Sequence, residues 1–387
     1  MIRRARRREA FTLLELMVAL VAGLIAISSI YTISRASAEN FQNQQRISQT
    51  QMAVRMAMEQ IRLDVQRAAF LGTPNTAQER TCLALPDGNN FGGVEVRDGL
   101  DTANLANPGP NGVEADRLRL VGNYATTSRY VIDFGVGNRM RVDASTQGFR
   151  DSFGVVGTDY DADAFDDVFR QGRYLSVEDT DGDRFFLRIT GTNAAQQIIT
   201  FTPDLQNGSG NCVSGSLRQS FVSPLMRIEY AVVAPGDATV QLGNVYGDGA
   251  QQALDQARGT TPSVLIRREV SFDAGAAPIP GSERILLDYT ANFDVDLLAD
   301  QNPGVVAPLV FLDNGAAEAQ TLANPHQVRA VVLDLAARTA DQETNFNFLP
   351  PAAGQPVTRY QVNPARPGAA RVRAVRSEIF LPNMVRP

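Results

Sequence analysis

The stretch AFTLLELMVALVAGLIAISSIYTI, residues 10–33, decides how the rest of the chain is read. From Phe11 to Ile33 it holds 23 positions and one charged side chain, Glu15. At about 1.5 Å per residue, a helix of that length spans the ~30 Å hydrocarbon core of a bilayer. Before it runs MIRRARRREA, with Arg3, Arg4, Arg6, Arg7 and Arg8. Positive charge beside an apolar helix stays on the cytoplasmic side, which sends the remainder of the chain across the membrane.

A secretory signal is cut after its apolar stretch and releases a soluble product. Here the small-residue junction, Ala10-Phe11, comes before that stretch. A carboxylate close behind it costs about 2.5–3.5 kcal/mol to insert and so needs a partner. Cleavage between Ala10 and Phe11 would create one. The new α-amine of Phe11 lies one helical turn from Glu15, and the same amine on a neighbouring copy could reach Glu15 across a helix bundle.

Beyond residue 33 polarity rises, yet Ile47, Val54, Met58, Ile61, Val65 and Ala68 recur at spacings of a single helical face. The spacing predicts that the helix continues as an amphipathic segment over 34–71 and stops before Gly72, Thr73 and Pro74. Four parts follow: a leader at 1–10, a membrane-spanning half-helix at 11–33, an amphipathic half-helix at 34–71, and a body at 72–387.

The run Ala10-Phe11-Thr12-Leu13-Leu14-Glu15-Leu16-Met17-Val18 resembles the class III signal of type IV prepilins, with Ala10 where that family usually carries Gly. The resemblance implies cleavage between Ala10 and Phe11 by a prepilin peptidase, methylation of Phe11, and a role for Glu15 in subunit docking. It also implies a pilin-like α+β fold, a long N-terminal helix packed on an antiparallel sheet. Thr32 stands where major pilins often carry a helix-loosening Pro.

The body has ordinary globular composition with a loop-rich lean, 31 Gly and 20 Pro in 387 residues. All 36 basic residues are Arg. Loss of residues 1–10, with five Arg and one Glu, moves the formal charge from −6 to −10. An acidic body whose densest Arg cluster sits in a removable leader argues against nucleic acid as a partner.

Strand-like runs fall at 116–121, 130–134, 174–177, 184–190, 198–201, 226–233, 264–272, 285–298, 327–336 and 371–380, separated by Gly, Pro, Asn and Asp turns. They form one extended sheet unit, or two sheets divided near 205–222. The order of the runs at 115–120, 169–177, 227–230, 265–268, 328–333 and 371–383 looks like the PilW-type minor pilins. The related GspJ-type pseudopilins of type II secretion are usually much shorter. Membership would imply a minor subunit that helps to prime pilus assembly. It would be anchored in the inner membrane with a periplasmic body, and would sit in a tip complex with other minor pilins, the major pilin and often a large adhesin-like protein.

Chemistry is sparse. His326 is the only histidine, and Cys82 and Cys212 are the only cysteines, so a zinc site lacks parts. In an oxidising compartment the two thiols could close a disulfide loop worth about 4 kcal/mol; two buried free thiols are the alternative. Asp159, Asp161 and Asp163, and Asp179, Asp181 and Asp183 around Gly182, invite a calcium reading, since hard cations take several oxygens from one loop. Neither group completes an EF-hand, and Asp-Gly between two strand-like runs reads equally as a hairpin turn. The usual nucleophile and acid-base arrangements are missing, and no carboxylate pair stands out for glycoside hydrolysis, so no enzyme is expected. Three functional readings remain: a minor pilin, a type II secretion pseudopilin, and an adhesive or ligand-binding pilin-like protein.

Overall fold

The computed structural model describes residues 13–79, 90–180, 182–203, 218–234, 262–302, 307–352 and 355–384. The chain divides into two compact units, Met1–Thr50 and Gln51–Pro387. Helix α1 runs from Leu13 to Gln66. Shorter helices are α2 (Gln147–Phe153), α3 (Ala162–Val168) and α4 (Asn314–Ala323). Strands β1 (Val94–Arg97), β2 (Arg117–Gly122), β3 (Tyr130–Val136), β4 (Arg139–Val142), β5 (Tyr174–Glu178), β6 (Arg184–Asn193), β7 (Ile198–Thr202), β8 (Phe221–Val233), β9 (Val264–Val270) and β10 (Arg284–Leu287) belong to one sheet. Strands β11 (Thr290–Ala299), β12 (Val310–Leu312), β13 (Val328–Arg338), β14 (Arg359–Tyr360) and β15 (Ala370–Phe380) form a second, in the order β12-β11-β13-β15-β14. The layout is α+β and pilin-like, as the sequence predicts.

Within the body, the last turns of α1 bury Val54, Met58, Ile61 and Val65 of the predicted stripe together with Ala57, whereas Ile47 is only partly buried and Ala68 is buried beyond the helix end. These residues share a core with Val94, Leu118, Ile228 and Leu265 of the first sheet and Phe293, Val295, Val331 and Leu333 of the second. Each fully buried aliphatic side chain contributes about 1.5–3 kcal/mol. One acidic residue lies on the same buried face. Asp64 Oδ2 accepts from Arg267 Nε at 2.6 Å and from the Tyr230 hydroxyl, and its backbone oxygen accepts from the Tyr124 hydroxyl at 2.9 Å.

The helix stops at Gln66 rather than continuing to 71. The Ala69 N–H bonds to Val121 O on β2 at 2.7 Å, and Ala69 and Leu71 take positive φ. Side chains then receive the freed helix-end carbonyls, with Asn383 Nδ2 donating to Gln66 O at 2.9 Å.

The two sheets meet between Leu287 and Thr290, not near 205–222, of which residues 205–217 lie outside the described set. The run 285–298 is accordingly two strands: β10 pairs with β9, the chain turns through Tyr289 at φ +53°, and β11 pairs with β13. Asp116 ties the sheets together. Its Oδ1 accepts from Gly99 N at 2.7 Å and its Oδ2 from Val295 N at 2.8 Å.

The first sheet contains a closed barrel that the sequence does not announce. Strand β8 pairs with β3 and with β5, and the ring β8-β3-β4-β7-β6-β5 returns to β8, antiparallel throughout. The second half of β8, from Met226, leaves the ring to pair with β2 and β9. Pro224 falls between its β3 and β2 partners, where one side of the strand has no neighbour in register and a missing N–H costs no ladder bond. The barrel has its own aromatic core, in which Tyr130 meets Phe153 and Phe169, and α2 and α3 supply Phe149, Phe153 and Phe165. Ring centroids there lie as close as 4.8 Å, within the range of favourable aromatic pairs.

Replacing Asp64 with Ala leaves the half-buried Arg267 guanidinium without its carboxylate and the buried Tyr230 hydroxyl without its acceptor. The full chain in detergent should lose about 3 kcal/mol of stability in denaturant unfolding. A loss under about 1 kcal/mol would mean that the group does not hold the helix to the sheet.

Candidate assembly interface

Residues 13–40 of α1 are exposed apart from Gly23, including Leu13, Leu14, Leu16, Met17, Leu20, Leu24 and Ile27. Such a surface is unstable in water and suited to lipid or to other apolar helices. The helix is long and apolar enough to cross a membrane. Its hydroxyls bond within the helix, Ser29 Oγ to Ile25 O and Thr32 Oγ1 to Ser29 O, both at 2.9 Å, which lets them sit in apolar surroundings. Arg35 and Glu39 form an ion pair at 3.0 Å one turn apart on the helix. Glu15 stands exposed in the first helical turn, the one acidic residue among the exposed leucines and valines from Leu13 to Ile33. Ala10 and Phe11 lie outside the described residues, as do Asp181, Cys82 and Cys212.

Three aspartates of the calcium reading, Asp159, Asp161 and Asp179, are engaged in local backbone bonds. Asp159 Oδ1 accepts from Val155 N at 2.8 Å, and Asp161 caps α3 by accepting from Ala164 N at 2.9 Å. Asp163 lies in the first turn of α3, where a negative charge is favoured. Asp179 Oδ1 accepts from Asp183 N at 2.9 Å in the turn between β5 and β6, with Gly182 at φ +87°. The described residues hold no group of three or more His, Cys, Asp or Glu side chains that could bind a metal.

Sequence reading overlooked a different acidic group. In register across the second sheet, Asp294 on β11 faces Asp334 on β13, which faces Arg376 on β15, with Asp296 one pleat away. Arg376 lies 3.3 Å from Asp296 and over the Phe311 ring. Burial pushes the Asp296 carboxyl up to about 7, aided by Asp294 and opposed by Arg376. Burial likewise lifts Asp116 to about 7, against the two backbone N–H groups it accepts from. Asp294 and Asp334 are raised for the same reason. The alternation of Asp294 and Asp296 along one strand is the sequence signal for this cluster.

Residues 5–31 match the prokaryotic N-terminal methylation motif, a span that includes the Ala10-Phe11 junction and Glu15. No curated protein and no solved structure matches the chain. The motif is a prepilin-type signal and supports a type IV pilin or pseudopilin, a class of structural subunits anchored by the N-terminal helix. It implies processing by prepilin peptidase and assembly with other pilins.

The raised acids give a pH prediction. Folding lifts Asp116 and Asp296 from 3.8 to about 7, so the folded state holds protons that the unfolded chain has released. Their stabilising contribution is complete below about pH 4 and is lost as pH rises through about 7. Asp296→Asn should therefore flatten the fall in melting temperature between pH 5 and 8. An unchanged slope would contradict the assignment.

Proposed function

We propose that this chain is a minor pilin of a type IV pilus, of the PilW type, which helps to prime assembly and stands in a complex at the fibre tip. The observation that carries the proposal is the methylation motif at residues 5–31, leading into a helix whose far end buries its apolar stripe in an antiparallel body. Phe11, freed by cleavage after Ala10, supplies an amine to Glu15 of a neighbouring subunit. That pair compensates a carboxylate in an apolar environment and sets the register between helices.

The body supports a low-copy, terminal position. A closed barrel between β2 and the second half of β8 adds bulk that is difficult to repeat along a closely packed fibre. At the tip such a domain has room, and its partners there would be other minor pilins and a large adhesin-like protein. The cysteines, if bonded, and any calcium would stabilise this body rather than perform chemistry.

Deletion of the gene, or Glu15→Ala, should reduce surface pili severalfold, counted by shearing and electron microscopy. Intact pili with loss of exported enzymes would select a type II secretion pseudopilin instead. Normal pili together with normal secretion would remove both. Binding of sugars by the protein in the absence of other pilins would favour a directly adhesive role.

A further inference from the structure

A cavity of about 170 Å³ opens where the turn after α1 meets the turn before β13. Pro74 and Met384 form apolar walls, and Asn75, Gln78, His326 and Arg329 bring polar groups to it. No carboxylate lines it among the described residues. The carboxylates nearby are Asp300, 3.4 Å from Arg329 Nη2, and Glu79, which accepts from Thr73 Oγ1.

The hydrogen bonds fix the orientation of these groups. Asn75 Oδ1 accepts from Ala77 N at 2.9 Å, which leaves its Nδ2 facing His326 Nδ1 at 3.3 Å. His326 Nδ1 is therefore the acceptor and Nε2 carries the proton. The Gln78 amide, 2.9 Å from Nε2, must then present its oxygen to the ring and turn its NH2 away from it. Arg329 Nη1 donates to His326 O at 2.6 Å and so holds the guanidinium beside the cavity. The result is a small pocket with amide N–H groups and one guanidinium, two groups suited to donating to oxyanions.

We propose that this pocket binds a small oxyanion, a carboxylate or phosphate group, held by Arg329 and the side-chain amides of Asn75 and Gln78, with His326 as a coupled neighbour. A neutral imidazole is what the unliganded pocket favours. Burial, then the positive charge of Arg329, lowers the His326 pKa. A bound anion offsets the charge of Arg329 and so favours protonation of His326, a change that also requires the Asn75 amide to give up its contact with Nδ1. Of the charged groups near the ring, Arg329 opposes protonation, while Asp300 is paired with Arg329 and Glu79 accepts from Thr73.

Because His326 is the only histidine, its ring reports the site without ambiguity. The full chain, labelled at histidine with ¹³C and held in detergent, is titrated separately with phosphate and with acetate against chloride at equal ionic strength. The proposal predicts a saturable shift of the ring signal and a rise in its pKa with at least one oxyanion, and none with chloride. Response to phosphate alone or to acetate alone assigns the ligand class. Arg329→Gln should weaken binding about tenfold or more. Gln78→Ala, at an exposed position that leaves the body folded, should also weaken it. Absence of a saturable shift with both oxyanions, or equal affinity in wild type and Gln78→Ala, would overturn the proposal.

Discussion

The buried carboxylate of Asp64 is the constraint around which the body is arranged. It is the one acidic group on a helical stripe of Val54, Ala57, Met58, Ile61 and Val65. An unpaired carboxylate there would cost several kcal/mol, so the stripe can be buried only where Arg267 and Tyr230 meet it. Those partners sit in register on β9 and β8. The face of α1 that is covered and the strands that cover it are thus chosen together, and the second sheet closes the same core from Phe293, Val295 and Leu333.

Strand β8 carries this arrangement into the rest of the molecule. Its second half presents Ile228 and Tyr230 to the helix, while its first half closes the barrel through β3 and β5. Outside the helix-facing side, Glu95, Arg119, Glu229 and Arg268 stand opposite one another across four strands and alternate in charge. Glu229 is fully buried and receives Arg119 Nε at 2.7 Å and Arg268 Nη2 at 2.8 Å. A ladder of this kind discourages a one-residue slip, which would set Glu95 opposite Leu118 or Leu120 and Arg119 opposite Ile228 or Tyr230. The barrel is consequently held to the body through a strand whose register is fixed at one end.

Much of this was legible in residues 10–71, because membrane span, positive leader and helical stripe are local patterns of composition and spacing. Strand positions were also legible, since alternation is local. Strand partners were not. That 174–178 pairs with 221–225, closing a barrel, depends on contacts between residues far apart in sequence. Helices α2 and α3 were missed because their buried face is aromatic and only seven residues long in each case, too short for a period to stand out. The aspartates at 159–163 invite a cation reading because spacing alone does not distinguish a ligand from a helix cap, the role that Asp161 takes through its bond from Ala164 N. The acidic row on the second sheet went unseen because Asp334 joins Asp294 only through the pairing of β11 with β13.

The two apolar faces of α1 are used differently. One is satisfied inside the body, whereas the surface of residues 13–33 is completed by lipid and, on the proposed reading, by other subunits. On the proposed reading Glu15 separates an anchor from an assembly interface, and it does so only if the mature chain begins at Phe11. Mass spectrometry of the mature protein purified from cells tests this most directly. The account predicts an N-terminal peptide that starts at Phe11 and carries one additional methyl group. A mature chain that still begins at Met1, or one cut after Ile33, would contradict it.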